Sequence, residues 1–567
     1  MWPLILLLYI FIGVLFVSTE ASVPHLVPPS NPIELPLHIY SPRDVGGNVT
    51  TRAGLTSVTM SSDRQSYYTV ISIGEITFRV ALDTASSDLW IISSDCTTKT
   101  CTTVPRYPRA YQSPTYVTVN DNSTSFNASY LDGTAASGFV AKESVRLSNL
   151  TVANQAFGMI TDSNVNMVDQ TSGIMGLGFP RLSSISNTVT NSTPFFVALA
   201  QQGLLDYPVF GLSLTRNETG TLSIGAVDSS IVKNASLISW NRVVDFAPFG
   251  AESNTSSYLQ WAIPISGFSV NGTQFKTSPT YPNQADNISL ALFDVGAPGI
   301  YGPIQDVARL FSSIDGARIV DSTGQWAIPC DTAVPLSFTF GSQSYLLQPS
   351  DYIIGPAIGN PNMCLSWPQA SSPSSDGIDW QIGTAFLRTV YSIYSYGINA
   401  KESPLIGLYP IRNTTGAPET PDSVASLLSS LSATIATTLP NFLLPTPSYS
   451  TPPYAFNTSV SRAPQGIVSS GLATSTYSPI LGLQSKFNAT ALPAITPSPT
   501  VMTFILTNSA GFLVTSTSTL GEPSVTLGVP PGWSAASSLR TSSLAAVLPG
   551  LIISWALIYL ADILSFM

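Results

Sequence analysis

Two segments of this chain share one unusual pattern, an apolar run that ends in an aspartate and is followed by small residues. The first is VALDTASSDLW at residues 80–90, and the second is LALFDVGAPGIYG at residues 290–302. An internal duplication of this kind predicts two similar lobes, each of which supplies one aspartate, Asp83 or Asp294. Because a carboxylate is costly to bury at the end of an apolar strand, we expect a functional reason for both.

The region from about 66 to 411 consists largely of short alternating or apolar runs, such as YYTVISIG, ITFRVALD, PVFGLSL and LSIGAV. Gly, Asn, Asp, Ser or Pro separate these runs, which predicts strands joined by turns in an all-β domain. Each half also contains a later apolar-apolar-glycine element, GIMGLG at 173–178 and WQIGTAFLR at 380–388. Helices are predicted for 195–203 and 304–314.

Charge and histidine content exclude several classes of function. Charged residues make up 10% of the chain and its formal net charge is -10, so no nucleic acid partner is expected. The two histidines, His25 and His38, precede the predicted domain, which removes His-dependent nucleophilic catalysis and His-ligated metals. No phosphate-binding or dinucleotide-binding glycine motif follows a strand. Carboxylates are the acid–base groups that remain, and neither a metal nor a cofactor is expected.

The four cysteines form an even set, which suggests disulfides in an oxidising compartment. Cys96 and Cys101 enclose only four residues and would form a local bridge, which leaves Cys330 to close a loop with Cys364. A structural zinc ion would need all four cysteines, or histidines nearby. We therefore expect two disulfides and no zinc site.

The N-terminal and Ser/Thr/Pro-rich parts of the chain differ in composition from the predicted domain at 64–412. Residues 1–21 contain an apolar block followed by small polar residues, which predicts a secretory signal peptide; the alternative is an uncleaved membrane anchor. Residues 22–63 are Pro-rich and polar and are predicted to be a short pro-segment or flexible arm. Residues 413–540 have the composition of an extended, O-glycosylated stalk.

The C-terminal tail, 541–567, is apolar from residue 544 to its end and follows small residues and a polar spacer. This order is typical of a GPI-anchor signal, with the attachment site near Ser534–Ser538. A transmembrane helix is the alternative, although it would carry Asp562 and a proline into the bilayer. Either anchor would hold a secreted protein at the cell surface or cell wall. N-glycosylation sequons support secretion and begin at Asn48, Asn122, Asn127, Asn149, Asn191, Asn217, Asn234, Asn254, Asn271, Asn287, Asn413, Asn457 and Asn488.

The ordered set of motifs resembles the pepsin-like aspartic proteases, among them the GPI-anchored enzymes of fungal cell surfaces, over nearly all of 66–411. ALDTASSDLW is similar to the family's first active-site motif, with Asp83 in the catalytic position and Thr84 and Ser86 as supporting hydroxyls. FGLSLTRNETGTLSIGAVD, QWAIPC and IGTAFLRTVYSIY also resemble family segments. Both cysteine pairs fall where family disulfides lie.

The segment SYLDGTAASGFVAK resembles the flap hairpin of the same family. Tyr130 stands where the family has its flap tyrosine, and Trp90 matches the usual hydrogen-bond partner of that tyrosine. The resemblance implies a bilobal all-β fold with the active-site cleft between the lobes. It also implies a monomer that acts on peptide or protein substrates and needs no cofactor.

The resemblance further implies that Asp83 and Asp294 share one proton, because two like charges held close together cannot both ionise cheaply. The ionised partner would take a proton from a bridging water that attacks the peptide carbonyl, while the protonated partner assists the carbonyl oxygen. An acidic working pH follows from the need to keep the pair singly protonated.

The second motif departs from the family pattern at two positions. Val295 replaces the usual threonine and Ala297 replaces a hydroxyl residue, while Gly296 is retained and keeps an N–H that can orient Asp294. The first motif carries Ala85 in place of the usual glycine. The lost hydroxyls predict an aspartic endopeptidase that is slower or has a shifted pH optimum. The alternative is a catalytically impaired homologue that binds peptides or inhibits another enzyme.

Overall fold

The computed structural model describes the chain from residue 52 to residue 533 with several gaps. The gaps are 217–218, 246–257, 283–286, 373, 399–400, 413–417, 438–475, 482–488, 498–500, 508–512 and 520–525, and only the backbone is described at 501–507 and 513–519. The predicted signal peptide, most of the predicted arm, the anchor attachment site and the C-terminal tail lie outside the described residues. So do the sequons at Asn48, Asn217, Asn254, Asn413, Asn457 and Asn488.

Strands dominate the described chain, which confirms the predicted all-β class. In chain order they are β1 Gly54–Met60, β2 Tyr67–Ile73, β3 Ile76–Asp83, β4 Leu89–Ile92, β5 Val117–Thr118, β6 Ser125–Ser129, β7 Ala135–Leu147, β8 Leu150–Ser163, β9 Thr171–Gly176, β10 Val209–Ser213, β11 Gly220–Ile224, β12 Val227–Asp228, β13 Ser239–Arg242, β14 Ala262–Val270, β15 Thr273–Lys276, β16 Ser289–Phe293, β17 Ile300–Pro303, β18 Arg318–Ile319, β19 Trp326–Pro329, β20 Leu336–Phe340, β21 Gln343–Leu347, β22 Ile353–Ala357, β23 Asn360–Ser366, β24 Gln369–Ser371, β25 Ile378–Ile382, β26 Val390–Ser395, β27 Leu405–Pro410, β28 Ala494–Ile495, β29 Val501–Thr507 and β30 Leu513–Thr519.

The helices are short, and they include the two that the sequence predicts. They are the α-helices Lys99–Thr102, Ser184–Thr188, Phe195–Gln201, Ile304–Phe311, Pro349–Tyr352, Thr384–Leu387 and Pro421–Ser430, and the 3-10 turns Asn120–Asn122, Pro180–Leu182, Ala235–Leu237 and Ala489–Ala491. Within the described ranges, no helix has the length and apolar character needed to span a membrane.

The first lobe is built on strands whose side chains alternate between core and surface. Along β3, Phe78 and Val80 are fully buried while their neighbours Thr77 and Arg79 are partly exposed. Strand β9 lies between β3, to which it is parallel, and β4, to which it is antiparallel. Because β3 and β9 run in the same direction, their carboxyl ends meet at one edge of the sheet.

The second lobe repeats this arrangement with the later part of the chain. Strand β25 lies between β16, to which it is parallel, and β17, to which it is antiparallel. In each lobe, therefore, a central strand pairs with two others: the strand that leads into the aspartate, and the strand that follows the loop after the aspartate. The duplication predicted from the sequence is present in the strand topology.

One continuous sheet joins strands from both halves of the chain. Strand β10 pairs with β26, so that Phe210 lies opposite Tyr394, and their rings stack with centroids 4.7 Å apart. Trp261 and Tyr396 pack in the same aromatic cluster, and both donate a hydrogen bond to the backbone oxygen of Leu177, at 2.9 and 2.6 Å. Since Leu177 directly follows β9, this cluster ties the second half of the chain to the active-site edge of the first lobe.

Both predicted disulfides are present. Cys96 and Cys101 are joined with their Cα atoms 5.8 Å apart, and Cys330 and Cys364 with theirs 4.9 Å apart. The second bridge connects the residue after β19 to β23, two strands that already pair with each other. All four cysteines are fully buried, so the bridges lie within the packed domain.

Described parts of the predicted arm and stalk pack against the domain. Strand β1, within the predicted arm, pairs with both β11 and β2. The helix Pro421–Ser430 buries Val424 and Leu428, and β28 pairs in parallel with β12. The buried carboxylate of Glu402 accepts a hydrogen bond from the backbone N–H of Leu481 at 2.8 Å. These stretches differ from the extended chain expected from composition, because spaced apolar residues there find partners in the domain.

Candidate active site

The first active-site loop begins at the end of β3, where Asp83 lies opposite Gly176 of β9. Only 7% of Asp83 is exposed, and its backbone oxygen accepts from the N–H of Leu177 at 2.7 Å. Its side-chain Oδ1 accepts from the N–H of Ala85 at 2.8 Å, and Oδ2 accepts from the hydroxyl of Ser86 at 2.5 Å. The methyl group of Ala85 therefore leaves intact the backbone donor that the loop needs.

The second loop holds Asp294 in the same way, directly after β16. Asp294 is 4% exposed, and its N–H donates to the backbone oxygen of Ile382 at 3.0 Å. Its Oδ1 accepts from the N–H of Gly296 at 2.7 Å, as the retained glycine predicted. Its Oδ2 accepts from Nε2 of Gln381 at 2.5 Å, a contact that the sequence did not predict.

The carboxyl groups of the two aspartates lie side by side, close enough for one to donate its proton to the other. The backbone of Gly296 runs close to both, since a Cβ added there would lie 2.8 Å from Oδ1 of Asp83 and 3.1 Å from Oδ1 of Asp294. A glycine is required at this point because any side chain would push into the pair. The structure thus brings together the two carboxylates that the duplicated motifs predict.

Burial raises the pKa of both aspartates above the ordinary carboxyl value. For Asp294, burial is the largest cause and the negative charge of Asp83 adds to it, which raises the pKa to about 7. Burial also raises the pKa of Asp83, against hydrogen bonds from Ser86, Ala85 and Asp294 that favour its ionised form. Asp83 is therefore the first of the pair to ionise, and its charge keeps the remaining proton on Asp294.

Thr84 braces the two loops across the pair. Its buried hydroxyl donates to the backbone oxygen of Phe293 at 2.8 Å and accepts from the N–H of Val295 at 3.0 Å. Val295 is fully buried and has no hydroxyl with which to make the reciprocal contacts to the first loop. The loss of one brace, predicted from the sequence, is thus present in the structure.

Ala297 also lacks a hydroxyl, as the sequence indicated, but Asp294 is not left without a side-chain donor. Gln381, on the central strand β25, supplies the second hydrogen bond to this carboxylate. Both hydroxyls are absent from the second loop, as the sequence indicated, and Gln381 compensates for the one at position 297. The polar glutamine within the otherwise apolar element WQIG was the sequence signal that could have revealed it.

The predicted flap is a hairpin whose turn begins at Tyr130, directly after β6. The backbone N–H of Tyr130 donates to the oxygen of Thr134 at 2.9 Å, and the indole Nε1 of Trp90 donates to the hydroxyl of Tyr130 at 2.7 Å. Burial, and to a smaller degree the charge of Asp83, raises the pKa of Tyr130, so this phenol stays neutral. The neighbouring Leu131 is 93% exposed at the tip of the hairpin.

Comparison with known proteins agrees with this geometry. The model of the eukaryotic aspartyl protease family matches residues 66–402. The chain is 30% identical over 366 residues to an aspartic protease of Phaffia rhodozyma, which covers 63% of this chain and 79% of that protein. It is 28% identical over 368 residues to major aspartyl peptidase 1 of Cryptococcus neoformans, covering 62% of this chain and 70% of that protein.

A mammalian relative shows the same extent of similarity. The chain is 29% identical over 356 residues to cathepsin E of Mus musculus, which covers 61% of this chain and 80% of that protein. The matched region contains both aspartate loops, the flap hairpin and the two disulfides described above. The chain belongs to the eukaryotic aspartyl protease family and is an aspartic-type endopeptidase.

Proposed function

We propose that Asp83 and Asp294 are the catalytic pair with which this endopeptidase hydrolyses peptide bonds. The observation that carries the proposal is the close approach of two buried carboxyl groups, at the ends of equivalent strands and beside Gly296. Two carboxyl groups held side by side share one proton over a range of pH. They therefore provide a general base and a general acid in one site. Asp83 is the base, because its own donors favour the ionised form.

In the first step, Asp83 accepts a proton from a water molecule whose oxygen attacks the carbonyl carbon of the scissile bond. Asp294 donates its proton to the carbonyl oxygen, and a tetrahedral diol results without a covalent bond to the enzyme. In the second step, Asp83 passes its proton to the leaving nitrogen and Asp294 takes back a proton from the diol. The C–N bond breaks, a carboxylic acid and an amine leave, and the pair again holds one proton.

The flap and the loop braces have supporting roles in this proposal. Tyr130, held by Trp90, would close over an extended peptide and exclude bulk water from the pair. Thr84 and Ser86 keep the first loop aligned, and Gly296 orients Asp294 from the second. The substrates would be peptides or proteins, and the enzyme would act as a monomer.

The proposed cellular setting is the secretory pathway, with the mature protein held at the cell surface or cell wall by its C-terminal tail. The apolar block in 1–21, the pro-segment composition of 22–63 and the Ser/Thr/Pro-rich 413–540 support it. A GPI anchor or a transmembrane helix formed by 541–567 would provide the attachment. Release of the protein from cells by a GPI-specific phospholipase would support the first; retention after this treatment would support the second.

One observation favours a second candidate, a catalytically impaired homologue that binds peptides or inhibits another enzyme. Val295 cannot make the reciprocal brace, so only Thr84 connects the two loops by a side-chain hydrogen bond there. The bond from Gln381 to Asp294 argues against this candidate, because it keeps this carboxyl group oriented toward Asp83, as hydrolysis requires.

Cleavage of a quenched peptide library by the secreted protein at pH 4, with and without pepstatin, tests the proposal. We expect turnover that pepstatin blocks and that Asp83→Asn and Asp294→Asn each abolish while the melting temperature shows a folded protein. Asp315→Asn is the matched control, since Asp315 is an exposed aspartate of the second lobe. Pepstatin binding without any turnover by the wild type would overturn the proposal in favour of the impaired homologue.

A further inference from the structure

The hydrogen bonds to the two aspartates differ between the lobes in one respect. In the first loop, Ser86, three residues after Asp83, donates its hydroxyl to Oδ2 at 2.5 Å. The residue three positions after Asp294 is Ala297, which has no hydroxyl. Oδ2 of Asp294 instead accepts from the amide Nε2 of Gln381, also at 2.5 Å. Each outer carboxylate oxygen therefore has one side-chain donor, but the donors come from different elements.

Gln381 occupies the place that Ile174 has in the first lobe. Ile174 of β9 lies opposite Trp90, which is seven residues after the first aspartate. Gln381 of β25 lies opposite Tyr301, which is seven residues after the second aspartate. The two positions are equivalent under the duplication. The first lobe has an apolar side chain here and a hydroxyl in its loop, whereas the second has an amide here and a methyl in its loop.

We propose that Gln381 is a positioning residue that takes over the role of the hydroxyl missing at position 297. It holds the outer oxygen of Asp294 as a hydrogen-bond acceptor and so keeps the inner oxygen turned toward Asp83. This inference rests on the proposed function of the aspartate pair, and it adds a residue on which that function depends.

The chemistry of an amide makes this support more directional than a hydroxyl. The nitrogen of Gln381 can donate but cannot accept, whereas a serine hydroxyl can do either. The bond therefore disfavours a proton on Oδ2 of Asp294, because a protonated oxygen is a weaker acceptor. The proton is left at Oδ1, the oxygen beside Gly296 and close to Asp83, where it can be shared and then donated to a substrate carbonyl.

The other titratable groups near Asp294 do not compete with this role. They are Asp83 and the phenols of Tyr301 and Tyr394, which burial keeps neutral by raising their pKa, that of Tyr301 to about 12. The hydrogen bond from Gln381 favours the ionised form of Asp294 and opposes the effect of burial on its pKa. Loss of this bond should therefore raise the pKa of Asp294.

The test introduces the side chains of the first lobe at the equivalent positions of the second lobe, in two steps. Gln381→Ile reproduces the side chain of Ile174 and should lower kcat/KM roughly 10- to 100-fold, since it removes a hydrogen bond that strengthens as Asp294 gives up its proton and becomes charged in the first step. It should also move the alkaline limb of the pH profile, which reports the pKa of Asp294, to higher pH. Adding Ala297→Ser restores a loop hydroxyl like that of Ser86, and the double variant should recover most of the lost activity and the original limb.

Two further variants make the outcome specific. Gln369→Ile is the matched control, because Gln369 of β24 lies opposite Tyr301 on the other side of β17 and its amide donates to the backbone oxygen of Thr323 at 2.9 Å. The activity of this variant should equal that of the wild type. Gln381→Glu keeps the size of the side chain if the isoleucine variant folds poorly. It can donate only when protonated, so its activity should be confined to lower pH than that of the wild type.

The results separate this inference from the proposed function. An active wild type, an inactive Asp294→Asn and a Gln381→Ile variant with unchanged kcat/KM and pH profile would overturn the role of Gln381 alone. A loss of activity in Gln381→Ile that Ala297→Ser fails to rescue would also overturn it, since it would indicate a packing defect. If the wild type does not cleave at all, the catalytic proposal and this inference fall together.

Discussion

Replacing Thr84 by valine should weaken the connection between the two active-site loops. Thr84 is fully buried, and its hydroxyl donates to Phe293 at 2.8 Å and accepts from Val295 at 3.0 Å. Valine has nearly the same shape, so the change removes two neutral hydrogen bonds and leaves two backbone groups without a partner. At roughly 1–3 kcal/mol for each buried backbone group left unpaired, the free energy of unfolding should fall by about 2–6 kcal/mol.

Urea unfolding followed by tryptophan fluorescence, with the disulfides intact, measures this loss of stability. We expect a lower midpoint urea concentration and an unchanged dependence of the unfolding free energy on urea concentration. Thr389→Val is the matched control, because Thr389 is also buried but makes one local bond, to the backbone oxygen of Phe386 at 2.8 Å. Thr389→Val should lower the free energy of unfolding by only about 0.5–1.5 kcal/mol, because the oxygen of Phe386 still accepts from the N–H of Thr389. We also expect kcat/KM to fall for Thr84→Val and not for the control, since only Thr84 contacts the loop that carries Asp294.

The duplication of the loops allows a sharper version of this test. Val295 holds in the second loop the place that Thr84 holds in the first, so Thr84→Val combined with Val295→Thr moves the hydroxyl across the pair. The double variant should regain about half or more of the stability lost in Thr84→Val. The reasoning is refuted if Thr84→Val costs no more than Thr389→Val, or if the double variant is no more stable than Thr84→Val.

Three further predictions follow from the site. Gly296→Ala should lower kcat/KM roughly a hundredfold in a folded protein, because the new Cβ would lie 2.8 Å from Oδ1 of Asp83; near-normal kcat/KM would contradict this. Tyr130→Phe removes the hydroxyl that accepts from Trp90 and should lower kcat/KM about 2- to 10-fold with little change in Tm; an unaffected kcat/KM would argue against the flap role. Asp294→Asn should stabilise the protein at pH 7 more than at pH 4. Burial raises the pKa of Asp294 from 3.8 in the unfolded chain to about 7 in the folded protein. The stability that this carboxyl group contributes below pH 3.8 is therefore lost in the wild type as the pH rises toward 7, and asparagine does not suffer this loss. Equal shifts in Tm at both pH values would show that the pKa is not raised.

The sequence predicted those parts of the site that depend on short, local patterns. Asp83 and Asp294 each end an apolar run, and their main supporting donors lie two or three residues further along the chain. The turn geometry that brings Gly296 and Ser86 to these carboxylates is encoded within each loop. For the same reason, the strands and the class of fold could be predicted from alternation and turn residues, whereas the flap hairpin was predicted from its resemblance to the family.

Gln381 could not be predicted in this way, because its contact depends on strand pairing between distant segments. It is 87 residues from Asp294 and reaches it only because β16 and β25 run parallel in register. The same holds for the packing of β1 and of the helix Pro421–Ser430, which lie in regions of loop-like composition. There, a few apolar residues such as Val424 and Leu428 are ordered by tertiary contacts that local propensity does not reveal.

The account depends most on the claim that Asp83 and Asp294 act as one pair holding a single proton. The measurement that tests it most directly is kcat/KM from pH 2 to pH 8, with a peptide substrate that has no titrating side chain. We predict a bell-shaped profile for the wild type, with an alkaline limb near the pKa of about 7 raised by burial of Asp294 and an acidic limb above the ordinary carboxyl value of 3.8. Asp83→Asn and Asp294→Asn should be inactive at every pH. A profile without an alkaline limb, or pH-dependent cleavage that survives in Asp294→Asn, would contradict the claim.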